Sequence, residues 1–132
     1  MRKVTGLGGV FFKAKDPKVL SEWYRDHLGL PISEYGGADF DWLETQTHAQ
    51  RKTVWSTFPA DTDYFKESSA PFMINYIVED LDALLDALRK EGVRVDSQRD
   101  DSEFGRFAWI WDPEGNRIEL WEPPSDGAKS AS

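Results

Sequence analysis

Ile74-Asn75-Tyr76-Ile77-Val78-Glu79-Asp80 repeats, 64 positions later (80 − 16), the pattern of Val10-Phe11-Phe12-Lys13-Ala14-Lys15-Asp16. Val10 coincides with Ile74, Phe12 with Tyr76 and Ala14 with Val78, and beyond the shared Asp the match continues through Leu20 with Leu84 and Arg25 with Arg89. In each copy a period-two alternation gives way at the Asp to a period near 3.6, as happens where a strand hands over to an amphipathic helix. An Asp at that junction accepts from the free N–H groups of the first helical turn. Pro17 suits the first helical position, where its missing donor costs nothing. The apolar stripes are Leu20, Trp23, Tyr24 and Leu28 in one copy and Leu81, Leu84, Leu85 and Leu88 in the other. Gly29 and Gly92 follow them, as helix C-terminal glycines do.

Strand-like segments follow each helix: Pro31–Tyr35, Asp39–Gln46 and Arg51–Phe58 in the first half, and Val93–Asp96, Glu103–Trp111 and Arg117–Glu122 in the second. Asp112-Pro113-Glu114-Gly115 carries the residues of a tight turn in their preferred places, and Asn116 tolerates the left-handed backbone that extends it. The order strand–helix–three strands thus occurs twice, an α+β chain of two modules at about 5–58 and 72–123. A polar linker spans 59–71, and residues 124–132 read as a disordered tail of a single domain, 1–125.

The length of 132 residues allows one such domain with a real core. With 39% hydrophobic and 30% charged residues the composition is that of a folded globular protein. A membrane span is excluded, since there is no run of about 18 apolar residues. Cys is absent, which removes disulfides, thiolate metal sites and thiol nucleophiles. The formal charge of −8 disfavours nucleic acid and anionic membranes as partners. Lys13 and Lys15 interrupt the first apolar run, so no signal peptide is read and a cytoplasmic location is expected.

Three stretches together resemble the vicinal oxygen chelate superfamily, the glyoxalase/bleomycin resistance/dioxygenase type: Trp23-Tyr24-Arg25-Asp26-His27-Leu28-Gly29-Leu30, Val78-Glu79-Asp80-Leu81-Asp82, and Asp112-Pro113-Glu114-Gly115-Asn116-Arg117-Ile118-Glu119-Leu120-Trp121-Glu122. The resemblance spans roughly Leu7 to Pro123. It implies two tandem βαβββ modules forming a curved mixed sheet around a cavity, helices outside, and a homodimer. The superfamily holds metal-dependent lyases, isomerases, transferases and ring-cleaving dioxygenases as well as metal-free drug-binding proteins, so the fold alone does not choose the chemistry. Its metal positions fall here on Gly9, Met73, Glu119 and the Val54-Trp55-Ser56 stretch, with Trp55 the expected match. One carboxylate in four positions cannot hold Zn²⁺, Fe²⁺ or Ni²⁺. No metal and no cofactor are therefore expected unless a partner chain contributes a ligand. His27 and His48, the two histidines, read as solvated side chains, His48 being the one unassigned imidazole.

Alternation sorts the strands. Gly8, Val10, Phe12 and Ala14 are expected to face the helices, and Leu7, Gly9, Phe11 and Lys13 the cavity. In the second half Met73, Asn75 and Ile77, and on the last strand Arg117, Glu119 and Trp121, are expected inside. The candidate ligand-binding residues are Phe11, Trp55, Met73, Asn75 and Trp121, with Trp42 or Trp109 as additions. They make a mostly apolar pocket with a few polar groups, suited to stacking on a planar or cationic ligand. Glu119 is the candidate catalytic acid or base: desolvation beside Trp and Met would raise its pKa. The alternative is neutralisation by Lys13 or Arg117 within a polar network. Tyr64-Phe65 in the linker is either a lid over the cavity or a single hydrophobic pin. No Ser-His-Asp order, phosphate loop or Cys-His pair stands out. The expected function is binding of a small apolar or aromatic molecule in a Trp-lined cavity without the family metal. The alternative is a divergent lyase, isomerase or dioxygenase using Glu119.

Overall fold

Each repeat opens on a strand that ends two residues before its Asp. In the computed structural model, which describes residues 3–68 and 70–125, the first half comprises β1 (Val4–Ala14), α1 (Pro17–Leu28), β2 (Ala38–Leu43) and β3 (Gln50–Pro59). The second comprises β4 (Phe72–Val78), α2 (Leu81–Lys90), β5 (Val95–Ser102), β6 (Gly105–Trp111) and β7 (Arg117–Glu122). The two caps are the same device. Asp16 Oδ1 accepts from the Val19 N–H and Asp80 Oδ1 from the Ala83 N–H, both at 3.1 Å.

The seven strands form one open mixed sheet in the order β2-β3-β1-β4-β7-β6-β5, with both helices on one face. The halves meet where β1 and β4 pair antiparallel, and there Val10 stands opposite Ile74 while Gly9 faces Asn75 and Phe11 faces Met73. Val10 and Ile74 are repeat equivalents, so a two-fold axis runs between them. It relates the parallel pair β1–β3, with Val10 beside Trp55, to the parallel pair β4–β7, with Ile74 beside Ile118. Trp55 and Ile118 are therefore counterparts, as are Ser56 and Glu119.

The helix-side core belongs to the second half. Leu81, Leu84 and Leu85 of α2 pack with Val78, Ala108 and Leu120, flanked by Tyr76, Leu88, Val95, Ile110 and Ile118. In the first half α1 buries only Ser21, whose hydroxyl bonds the Gly36 carbonyl at 3.1 Å and the Thr57 hydroxyl at 3.2 Å. Phe12, Tyr24 and Trp55 form a half-buried aromatic group beneath it.

Several sequence expectations are corrected. Pro31–Tyr35 is not a strand: the Ser33 N–H donates to the Gly37 carbonyl at 2.7 Å and the Gly36 N–H to the Ser33 carbonyl at 2.9 Å, so this backbone bonds within its own turn rather than to β2. Gly36 takes φ 91°, a turn conformation open to glycine. β5 runs to Ser102 and turns at Glu103-Phe104 into β6, later than the expected break. β2 ends at Leu43 rather than Gln46, because the Glu44 carboxylate folds the next residues into a turn, accepting from the Gln46 and Thr47 N–H groups at 3.1 Å. Gly8 lies on the open face, not under the helices. A register shift between Leu7 and Gly9 reverses the alternation there, and a Cβ on Gly8 would come within 2.1 Å of Asn75 Oδ1. Of the expected tail, residues 126–132 lie outside the described residues.

Candidate functional site

Strand phase brings Phe11, Met73, Asn75, Glu119 and Trp121 onto the face opposite the helices. Phe11 and Met73 pack with Phe65 and Trp109 as a buried cluster, ringed by Val54, Phe58, Tyr64 and Phe107. Trp121 stacks on Phe107 at 5.7 Å and donates its indole N–H to the Phe104 carbonyl at 2.8 Å. Trp55 does not join them. It packs on the helix side between Phe12 at 5.3 Å and Tyr24 at 4.9 Å, so its expected place in the cavity is corrected. The cause is its register beside Val10, a helix-facing residue.

Glu119 is the polar centre, 2% exposed. Three neutral donors converge on its carboxylate. The Asn75 amide reaches Oε1 at 2.5 Å, the Trp109 indole N–H reaches Oε2 at 3.0 Å, and the Tyr64 hydroxyl also donates to Oε2. Burial pushes the carboxyl above the ordinary Glu range, while those three hydrogen bonds and the Arg117 charge pull against it. Burial, then the neighbouring Glu119 charge and the hydrogen bond to it, hold the Tyr64 phenol protonated far above its ordinary range. Asn75 Oδ1 is buried with no hydrogen-bond partner.

Beside this carboxylate lies a second polar set that sequence reasoning saw only in part. Arg117 is as deeply buried as Glu119 and stacks on the Trp109 ring at 4.8 Å. It donates to the Tyr64 carbonyl at 2.9 Å and to Asp96 Oδ2 at 2.8 Å, and Lys66 Nζ meets that same oxygen at 2.8 Å. Burial alone would raise the Asp96 carboxyl. The Gln98 N–H, Lys66 and Arg117 outweigh it and hold the group well below the usual carboxylate range. Lys13, the other expected neutraliser of Glu119, instead sits 5.4 Å over the Phe65 ring.

The linker aromatics, expected either as a lid over the cavity or as a single hydrophobic pin, lie over this face. Phe65 is fully buried, and Tyr64 stacks on Phe58 at 5.3 Å with an interplanar angle of 12°. Nothing in the alternation of the strands placed the Tyr64 hydroxyl on Glu119. The signal available was only an adjacent aromatic pair in a polar linker. A cavity of about 200 Å³ remains beside them, lined by Asp63, Tyr64, Lys66, Gln98, Trp109 and Arg117.

The donor set does not fit a divalent metal. Gly9 has no side chain, and a Cβ there would come within 2.6 Å of the Phe11 ring. Met73 presents a thioether buried among hydrocarbons. The dyad counterpart of Glu119 is Ser56 rather than the expected Trp55, and its hydroxyl is turned to the Thr57 carbonyl at 3.4 Å. Among the described residues no group of three His, Cys, Asp or Glu side chains is arranged to hold an ion. His27 lies exposed against Trp23, and His48 sits exposed in the turn after β2 at φ 60°.

Comparison with known proteins agrees with this architecture. A model of the Glyoxalase/Bleomycin resistance protein/Dioxygenase superfamily matches residues 7–120. Uncharacterized protein YraH of Bacillus subtilis (strain 168) is 32% identical over 115 residues, covering 81% of this chain and 90% of that one. Methylmalonyl-CoA epimerase from Mycobacterium tuberculosis superposes with a TM-score of 0.60 at 25% identity, covering 100% of this chain and 95% of that chain. A Streptomyces coelicolor methylmalonyl-CoA epimerase variant in complex with 2-nitronate-propionyl-CoA superposes with a TM-score of 0.66 over 92% of this chain and 99% of that one. At 15% identity it shares the fold alone.

Proposed function

The chain belongs to the Glyoxalase/Bleomycin resistance protein/Dioxygenase superfamily, and from that premise we propose that it binds a small apolar or aromatic molecule on the open face of its sheet without a divalent metal. The observation that carries this reading is the state of Glu119: its oxygens are taken by Tyr64, Asn75 and Trp109, and Gly9, Ser56 and Met73 stand where further ligands would be needed. The surrounding Phe11, Phe58, Phe107, Trp109 and Trp121 offer apolar and stacking surface. In this reading Glu119 orients the ligand by hydrogen bonding, and the rings supply affinity by excluding water. The protein acts in the cytoplasm as a homodimer.

Elemental analysis of protein purified without chelator tests the metal-free part: stoichiometric Zn, Fe, Ni or Mn would overturn it. A screen of aromatic compounds by quenching of tryptophan fluorescence tests the binding part, with Glu119→Gln expected to weaken the best ligand by about tenfold, the worth of roughly one charge-assisted hydrogen bond.

A second reading, an acid/base enzyme using Glu119, is favoured by one observation: burial raises that carboxyl toward the range where proton transfer is efficient. The likeness to the M. tuberculosis epimerase adds to it. Turnover of any ligand found in the screen, abolished by Glu119→Gln with binding retained, would establish this reading instead.

A further inference from the structure

We propose that the Tyr64 phenol is an internal stand-in for the ligand, so that the site takes a neutral aromatic ring bearing a hydroxyl group, which displaces Tyr64 from Glu119. The inference rests on the binding reading above and names its ligand class. Tyr64 belongs to the linker, not to the sheet, yet the sheet holds it as a bound molecule is held. Its ring is stacked on Phe58, edge-on to Trp109 at 6.2 Å and 89°, with its hydroxyl on Glu119 Oε2.

What the sheet offers beneath that ring is acceptor chemistry. With the phenol withdrawn, Oε2 keeps only the Trp109 N–H. A buried carboxylate short of a donor is costly, so an occupant must bring one. Charge narrows the choice. The two carboxylates of this site, Glu119 and Asp96, already face two cations, Arg117 and Lys66, and Arg117 occupies the cation position over the Trp109 ring. A further anion would meet Glu119, and a further cation would meet Arg117. A neutral hydroxyl satisfies the carboxylate and disturbs neither pair.

The linker is also held in a way that lets it leave. Its middle is tied by polar contacts to the second half, Lys66 to Asp96, Glu67 to Arg94 and the Tyr64 carbonyl to Arg117, while the first half holds it through the rings of Tyr64 and Phe65 and a hydrogen bond from the Lys13 N–H to the Pro71 carbonyl. Lys66 takes φ 45°, the left-handed region that favours glycine, so the backbone at the latch is strained and relaxes on release. The adjoining cavity of about 200 Å³, smaller than most ligand sites, gains the volume of a ring when Tyr64 swings out.

The test uses the full chain with phenol and toluene as probes, read by thermal melting and tryptophan fluorescence. Tyr64→Ala is expected to bind phenol at least tenfold more tightly than the unaltered protein does, and to prefer phenol to toluene. Lys66→Ala, which keeps the ring and removes the latch, is expected to bind phenol severalfold more tightly than the unaltered protein, and it carries the test if Tyr64→Ala does not fold. Equal phenol affinity in Lys66→Ala and the unaltered protein overturns displacement. Toluene binding as well as phenol overturns the hydroxyl requirement while leaving the broader binding reading intact. If no aromatic probe binds any of the three proteins, both fall together.

Discussion

The two halves share a backbone plan but not a division of labour. α2 inserts Leu81, Leu84 and Leu85 into the core, whereas α1, at the same offset, presents Pro17, Leu20 and Ser21 and buries only the serine. The contrast continues on the other face. The second half holds Arg117, Glu119 and Asp96 in a buried network, while the counterparts of the first two in β3 are Val54 and Ser56. A repeat thus preserves what sets the path of the chain, namely the capping Asp residues and the strand phase. Stability and chemistry are free to concentrate in one copy, and here both lie in the second.

The sharpest way to break this contrast is at the buried ion pair, which has no partner in the first half. Asp96→Asn leaves the Arg117 guanidinium buried without its carboxylate and is expected to cost about 3 kcal/mol in urea unfolding. The pH dependence has a definite sign. A carboxyl lowered in the folded state stabilises above its unfolded pKa of roughly 4 and loses that contribution as pH falls below it. The unaltered protein should therefore lose stability on acidification through pH ~4 more steeply than Asp96→Asn. Next comes the helix comparison: Leu85→Ala is expected to cost about 2–4 kcal/mol, and its counterpart Ser21→Ala about 1 kcal/mol through two lost hydrogen bonds. Equal losses would show that α1 is as firmly seated as α2. The smallest effect probes what the halves share. Asp16→Ala and Asp80→Ala are each expected to cost about 1 kcal/mol, and a large difference between them would break the equivalence of the caps.

What was legible in the sequence follows from the range of the forces involved. The caps at Asp16 and Asp80, the helix stripes and the alternation that puts Phe11, Met73, Asn75, Glu119 and Trp121 on one face are local patterns, and they carried the fold and most of the site's wall. Trp55 was misplaced because alternation gives two faces but not which is which, and its phase is fixed only by register with β1 after a long crossover. Pro31–Tyr35 has a strand-like composition, yet the Ser33–Gly37 turn captures its hydrogen bonds. β5 went partly unseen since Ser97-Gln98-Arg99-Asp100-Asp101-Ser102 lies on a sheet edge and is polar and exposed throughout. The hydroxyl of Tyr64 on Glu119 joins residues 55 positions apart through a linker without period, and no local pattern encodes it.

The axis between Val10 and Ile74 has an evolutionary reading. Two separate copies of a half-length ancestor would close the same antiparallel seam, and fusing their genes requires a tether from the end of one to the start of the next. About that axis β1 is matched by β4, α1 by α2, β3 by β7 and β2 by β6. The tether has no such match, and so it was free from the outset to acquire a duty that neither ancestor's sheet could perform.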